Sequence, residues 1–312
     1  MTICSPSQSS IKEATQTLQS GGVVSFATET VYGLGGDTFN ETAISKIYKL
    51  KNRPANNPMI AHILDATWAN QLTDGWNKQC DLLADAFWPG PLTIVLPKKP
   101  SVPKSACGGY ETIALRSPSH PVARMLLASF NNPISAPSAN ISGHVSPTTA
   151  QHVEDEFDGS IMVLDGGPSE KGIESTVVSI VDSPAVLRPG SISIEQIISC
   201  IGATDATNHS VQKNSPGTTQ KHYAPKTSVR ACSAQQIKEL HDPKCAVLSI
   251  TAKPISAKQT IPMPLTASRY ASQLYAVLRE VDTLGLDTIV IELPPTTTEW
   301  RAVLDRITRC CA

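Results

Sequence analysis

One break in the chain constrains its fold more than any other feature. Between residues 203 and 231 the hydrophobic patterning stops, and Ala, Thr, Asn, Ser, Lys and Pro dominate. Such a composition marks a linker or loop. On either side, short apolar runs alternate with stretches of helical period. Alternating strands and helices argue an α/β arrangement in both halves. With 312 residues the chain is long enough for two units.

The first half reads in detail. A helix is predicted from Ser10 to Leu18, then a strand over Val23–Phe26 and a glycine-bearing loop from Thr28 to Gly36. Asn40 can cap a helix running to Lys51, with Ile44, Ile47 and Tyr48 on one face. Strands are predicted at Met59–Ile63, Leu92–Leu96, Thr112–Leu115, Ile134–Ala136, Ile161–Leu164 and Thr176–Val181. Helices are predicted at Cys80–Phe87, at Val122–Phe130 opened by Pro121, and at Thr148–Phe157. Ser193-x-x-Gln196 is a capping-box pattern for a helix ending near Gly202. Beyond the break, Val229 opens a strand and Ser233-x-x-Gln236 a helix. A strand over Ala246–Ile250, a long helix over Thr266–Leu284, a strand over Thr288–Ile291 and a last helix from Glu299 follow.

Composition narrows the partners. A net charge of −1 supplies no overall field toward nucleic acid or membrane, although the C-terminal third is mildly basic. That excess fits a solvated surface or a tRNA-facing one. No apolar run reaches the roughly 20 residues of a membrane span. The eight cysteines form no C-x-x-C and no zinc spacing with histidine, and the N-terminal residues are polar. A cytoplasmic protein with free thiols is expected.

Phosphate-loop, dinucleotide, metalloprotease and nucleophile-elbow motifs are all absent from the sequence. Four local clusters remain, each with two readings. Thr28-Glu29-Thr30-Val31-Tyr32-Gly33-Leu34-Gly35 follows a strand and would let a small polar ligand approach, or it is a plain turn. Lys51-Asn52-Arg53, ahead of Asn56-Asn57-Pro58 and His62, pairs a point charge with a planar fork. That suits a polyphosphate, or equally two cations completing a helix dipole. Pro137-Ser138-Ala139-Asn140, with Ser142-Gly143 and Ser146-Pro147, forms a hydrogen-bonding ledge or a turn. Glu174-Ser175-Thr176 and Leu187-Arg188-Pro189-Gly190 offer Arg188 as a phosphate or base contact, or as a solvated hairpin arginine.

In this order, with Phe87-Trp88-Pro89-Gly90-Pro91 and Asp165-Gly166-Gly167-Pro168 between them, the clusters resemble the YrdC-like family of threonylcarbamoyl-AMP synthases. Ser215-Pro216-Gly217 and Lys221-His222-Tyr223-Ala224-Pro225 resemble the linker of its longer, two-domain form. The resemblance implies an α/β fold: a large twisted open mixed sheet with a concave cavity, plus a smaller Rossmann-like accessory domain. The expected divisions are 8–202 for the catalytic domain, 203–229 for a linker acting as lid, and 230–312 for the accessory domain. It also implies the reaction of L-threonine, bicarbonate or CO2, and ATP to threonylcarbamoyl-AMP and pyrophosphate, for the t6A modification of tRNA.

By motif match, Thr30, His62, Arg116, Ala136 and Ser175 would surround threonine. Lys51, Arg53, Asn57, Thr112, Ser138, Asn140, Ser146, Arg188 and Tyr223 would surround ATP, with Lys51 and Arg53 carrying the catalytic burden as phosphate-facing cations. Arg116 suits a carboxylate through a bidentate pair. Mg2+ is expected to arrive with ATP, since no dedicated carboxylate cage is visible. Transient contact with the tRNA threonylcarbamoyl transferase is expected, without strong direct nucleic-acid binding. The rival reading is an RNA-binding or ribosome-associated module using the same basic cavity. Two positions depart from the family pattern: Ala27, usually proline, and Thr298-Glu299-Trp300, usually glycine-rich.

Overall fold

The computed structural model describes residues 2–202 and 223–311. Ser215-Pro216-Gly217 and Lys221-His222 lie outside the described residues.

Ten strands build the larger sheet: β1 (Ile3–Cys4), β2 (Val24–Phe26), β3 (Gly33–Asp37), β4 (Ile60–His62), β5 (Leu92–Pro97), β6 (Thr112–Arg116), β7 (Ile134–Ala136), β8 (Val163–Leu164), β9 (Thr176–Ser179) and β10 (Ala185–Arg188). Their order is β1-β8-β2-β3-β7-β4-β6-β5-β9-β10. The pairing is mixed: β4 runs parallel to β6 and antiparallel to β7, and β5 runs parallel to β9 and antiparallel to β6.

Six helices accompany this sheet: α1 (Gln8–Gln19), α2 (Glu41–Leu50), α3 (Lys78–Phe87), α4 (Pro121–Phe130), α5 (Ala150–Phe157) and α6 (Ile194–Ile201). Their starts follow local chemistry. Ser7 and Ser193 complete capping boxes, and Asn40, Asn77 and Thr149 accept from the first-turn amides. Period-two alternation then sorts the strands' side chains between faces. On β4, Ala61 joins the core shared with Ile44, Ile47 and Leu83 of the helices. Ile60, its neighbour, packs instead with Val95, Ala114, Val177, Ala185 and Leu187. His62 and Arg116 fall on this second face, in register with one another across β4 and β6.

The second unit is a four-stranded, all-parallel sheet of β11 (Ser228–Cys232), β14 (Thr288–Glu292), β12 (His241–Ser249) and β13 (Ser256–Pro262), in that order. Helices α7 (Ala234–Lys238), α8 (Ala267–Asp282) and α9 (Arg301–Cys310) complete it. Its core does not stop at its own boundary. Val31, Val145 and Ile173 of the first unit pack in one apolar cluster with Tyr270, Leu274, Ile289 and Val303 of the second. Gly172, at φ +68°, shows how close the approach is: a Cβ there would lie 2.5 Å from the Ser272 Cα on α8. Among the described residues, no helix is long and apolar enough to cross a membrane.

Some elements differ from the sequence expectation. Gly33–Asp37, all but its last residue inside the expected loop Thr28–Gly36, is the interior strand β3. A Cβ on Gly35 would sit 2.6 Å from Ile134 and 2.7 Å from Phe26, so close packing, not apolar patterning, selects the residue there. β1 and the edge strand β13 were not expected. β13 is largely exposed and polar, so it carries no alternating apolar signal. β11 starts at Ser228, inside the segment assigned to the linker. Trp300, at a departure from the family pattern, is buried edge-on against Tyr270, with ring centroids 5.4 Å apart.

Candidate active site

The second face of the large sheet carries a cavity enclosing about 530 Å³ of empty space, its open mouth included. The loop after β2 forms one wall. There the Thr28 hydroxyl closes a tight turn, accepting from the amides of Thr30 and Val31 and donating to the Val31 carbonyl. Thr30 is thereby aimed at Arg116, whose Nη1 donates to its hydroxyl at 2.8 Å. Arg116 also donates Nε to the Gly90 carbonyl at 3.2 Å and faces Glu29 through Nη2 at 2.7 Å. Nη1 keeps a second N–H beyond the Thr30 bond, and Nη2 meets Glu29 as an ion pair without a hydrogen bond among the described residues, so donors remain for a substrate carboxylate. Burial pushes the Glu29 carboxyl up, but Arg116 outweighs it, and the group is held below its ordinary range.

His62 stands beside this pair, edge-on to Phe26 with centroids 5.9 Å apart. Burial first, and then the Arg116 charge, depress the imidazole to about 3, so it is neutral at physiological pH. Its Nδ1 is buried without a hydrogen-bond partner among the described residues.

The opposite wall comes from β9, β10 and the chain just before β11. Arg188 is buried at the end of β10 and donates to the Ser175 carbonyl at 3.1 Å and to its hydroxyl at 3.2 Å. That Ser175 hydroxyl also lies 2.7 Å from Thr93 Oγ1. The solvated-hairpin reading of Arg188 does not describe this geometry. Gly190 permits the turn beyond it, because a Cβ would meet the Thr176 amide at 2.3 Å. Glu174 sits at the same wall and receives the Ser146 hydroxyl at 2.6 Å, the Tyr275 hydroxyl at 3.1 Å and Arg306 Nε at 2.8 Å. Burial raises this carboxyl, yet Arg306, Arg188 and Ser146 together hold it at about 2. Tyr223 is buried at the cavity edge with φ +62°, a strained conformation for a tyrosine, and its ring stacks on Tyr275 at 5.5 Å.

All five residues expected around threonine, Thr30, His62, Arg116, Ala136 and Ser175, line the cavity. Of those expected around ATP, Arg53, Ser138, Arg188 and Tyr223 line it, whereas Lys51, Asn57, Thr112, Asn140 and Ser146 do not. Four of these five support the wall from behind. Asn57 takes two bonds from the Arg53 guanidinium, through its carbonyl at 3.0 Å and its Oδ1 at 2.7 Å. Asn140 pins its own loop through the carbonyls of Ile141 and His144. Ser146 stands behind Glu174, and Lys51 caps the carbonyls of Ser138 and Asn140. Thr112 shares the Arg116 face of β6, at the strand's other end. Lys51 was expected to face phosphate; the structure instead commits its ammonium to the backbone of the ledge. Burial, and then the neighbouring Arg53, lower its pKa well below the ordinary lysine value. Arg53 is lowered by burial only to about 10 and stays charged.

Glu29 and Glu174 were visible in the motifs but had been given no role. Glu29 is the buried counter-ion of Arg116 at the wall, and Glu174 that of Arg306 behind it. Arg306 and Tyr275 carried no local signal at all.

Three buried guanidiniums, Arg53, Arg116 and Arg188, therefore converge on one concavity floored by a mixed sheet and edged by Tyr223, ahead of the second unit. Fold and site together define an α/β enzyme that handles anionic substrates. Residues 16–190 match a family model described as Telomere recombination, and residues 192–312 match the threonylcarbamoyl-AMP synthase C-terminal domain. The threonylcarbamoyl-AMP synthase of Pyrococcus abyssi is 37% identical over 299 residues, spanning 90% of this chain and 88% of that protein. That of Bacillus subtilis is 37% identical over 316 residues, spanning 95% and 91%. The crystal structure of P. abyssi Sua5 complexed with L-threonine superposes with a TM-score of 0.90 at 34% identity, covering 99% of this chain and 96% of that one. The chain belongs to the threonylcarbamoyl-AMP synthase family.

Proposed function

We propose that this cavity makes threonylcarbamoyl-AMP by direct attack of a threonine carbamate on the α-phosphorus of ATP, with no covalent enzyme intermediate. The overall activity is that of the family: a nucleotidyltransferase that forms threonylcarbamoyl-AMP for t6A synthesis. In the proposed sequence, the neutral threonine amine attacks CO2, or bicarbonate with loss of water, and releases a proton to solvent; a carbamate oxygen then forms the new P–O bond as the bond to pyrophosphate breaks. Both reactants are anions, so repulsion and alignment dominate the barrier. Fixed cations reduce both at once.

The observation that carries this reading is the division of the cavity into two cationic ends. Arg116, with Thr30 and neutral His62, forms an end suited to an amino acid: the guanidinium takes the carboxylate and the uncharged imidazole does not repel an ammonium. Arg53 and Arg188, with the Ser138 ledge, form an end suited to phosphates. Lys51 serves this end by fixing the ledge. Tyr223 closes the edge and limits water access to a labile anhydride.

Among the described residues, the carboxylates at the cavity do not form a protein cage for Mg2+. Glu29 and Glu174 are both committed to arginines, and among the described residues no group of three His, Cys, Asp or Glu could hold a metal ion. We therefore assign Mg2+ to the ATP phosphates, as counter-ion of the substrate, and route no step through it. All eight cysteines are free, which fits the cytoplasmic setting of this proposal, as does a transient hand-over to the tRNA threonylcarbamoyl transferase.

The test is pyrophosphate release with ATP and bicarbonate, with and without L-threonine. Release that depends on threonine supports the reading, and equal release without it overturns it.

A further inference from the structure

The accessory unit contributes a charge to the cavity wall from behind. Arg306, on α9, is the largest fully buried side chain among the described residues. Its Nε donates to Glu174 Oε2 at 2.8 Å, and its Nη1 pairs with Asp305 at 2.6 Å. The guanidinium carbon lies 5.3 Å from the centre of the Tyr223 ring. On the ring's other neighbour, Tyr275 of α8 stacks against Tyr223 and donates its hydroxyl to the same Glu174 oxygen at 3.1 Å. The Cys310 thiol, one helical turn beyond Arg306, donates to the Tyr223 carbonyl at 2.9 Å.

A buried guanidinium has a large desolvation cost and is weak evidence for stability alone. Here its partners include two groups of the cavity wall, Glu174 and Tyr223, besides Asp305 on its own helix. Glu174 in turn receives the Ser146 hydroxyl, which belongs to the loop carrying the Ser138 ledge. That loop is gripped a second time from the accessory unit: Arg279 of α8 donates to the Val145 carbonyl and pairs with Glu156 at 3.0 Å. Glu156 itself accepts the Ile141 amide. Among the described residues, the polar contacts of Arg116 to Glu29, Gly90 and Thr30 all lie within the first unit, and the second unit meets this end through apolar packing on Val31.

We propose that Arg306 is a positioning residue for the nucleotide end of the cavity: with Tyr275 it fixes Glu174 and Tyr223, and through them the wall against which ATP is aligned. The proposal rests on the cavity being the site of adenylyl transfer. It assigns the accessory unit a part in catalysis weighted toward one substrate, because the polar contacts of Arg116 at the threonine end stay within the first unit.

The test uses the full chain and measures threonine-dependent pyrophosphate release with separate KM values for ATP and threonine. Temperature is kept well below each variant's melting point. Arg306→Met is expected to lower kcat/KM for ATP by about 100-fold, the scale of a remote misplacement. Tyr275→Phe, which removes one hydroxyl and preserves shape, should raise the ATP KM by about tenfold. The threonine KM should stay within about twofold in both. A merely structural role would reduce the active fraction, and so kcat, without moving either KM. The double variant Arg306→Met/Glu174→Gln removes the buried charge imbalance, so it restores folding if the single variant loses it. Its ATP KM should stay raised. A wild-type ATP KM in folded Arg306→Met or in the double variant overturns the proposal, as does an equal rise in the threonine KM. If the wild type shows no threonine-dependent release, the reading of the cavity fails first, and the two failures are distinguishable.

Discussion

Two buried carboxylate–arginine pairs flank the cavity, Glu29–Arg116 at 2.7 Å and Glu174–Arg306 at 2.8 Å. In the first, the arginine faces the cavity and the carboxylate stands behind it. Both come from the large sheet and its loops. In the second, the carboxylate lines the cavity and the arginine stands behind it, delivered by another unit. The first pair presents positive charge to an anionic substrate. The second pair neutralises a carboxylate that would otherwise repel phosphate, and ties the wall to the accessory unit. The same ion pair thus does opposite jobs according to which member is turned inward.

Breaking the first pair should have the largest effect. Arg116→Met removes the proposed carboxylate partner and orphans Glu29. It should lower kcat/KM for threonine by about 1,000-fold and stability by about 3–5 kcal/mol, read by kinetics and by urea unfolding. An intact threonine KM would break the assignment of this end.

The second pair can be challenged without touching it. Gly172→Ala places a Cβ against the backbone of α8 and strains a positive-φ site. It should raise the ATP KM about tenfold and cost about 1–3 kcal/mol, with the threonine KM unchanged. A variant that loses stability but keeps both KM values would separate docking of the units from catalysis.

The smallest effect sharpens the comparison through pH. His62 is held at about 3 against 6.5 unfolded, and Glu174 at about 2 against 4.5. In both cases the unfolded chain binds more protons between the two values, so stability falls as pH falls. The His62 contribution is complete above 6.5 and fades from there toward 3; that of Glu174 is complete above 4.5 and fades toward 2. His152, lowered by burial to about 4, adds in the same direction as His62. Acidification from about pH 6.5 to 5 should therefore cost roughly 2 kcal/mol through His62. The loss should shrink in His62→Leu and be unchanged in Tyr275→Phe, measured by urea midpoints. An equal loss in wild type and His62→Leu would contradict it.

Sequence made some helix starts legible, because Asn40 and Ser193 cap through atoms two or three residues away, whereas the caps Ser7, Asn77 and Thr149 went unread. It made the cavity cations legible because motif order carries them. It did not reveal β3, whose glycines answer to Phe26 and Ile134 across the sheet. Nor did it reveal that Lys51 holds the carbonyls of Ser138 and Asn140, because its reading as a helix-end cation used only local neighbours. Arg306 and Tyr275 were the least legible: they meet Glu174 across 132 and 101 residues of chain. Local pattern reports caps and turns well, and says little about which buried charge will meet which.

The most direct test of direct transfer is isotope exchange between labelled pyrophosphate and ATP. The carbamate must be present before ATP can be cleaved, so exchange should require both L-threonine and bicarbonate. Exchange at full rate with ATP and pyrophosphate alone would reveal a covalent adenylyl-enzyme and contradict the account.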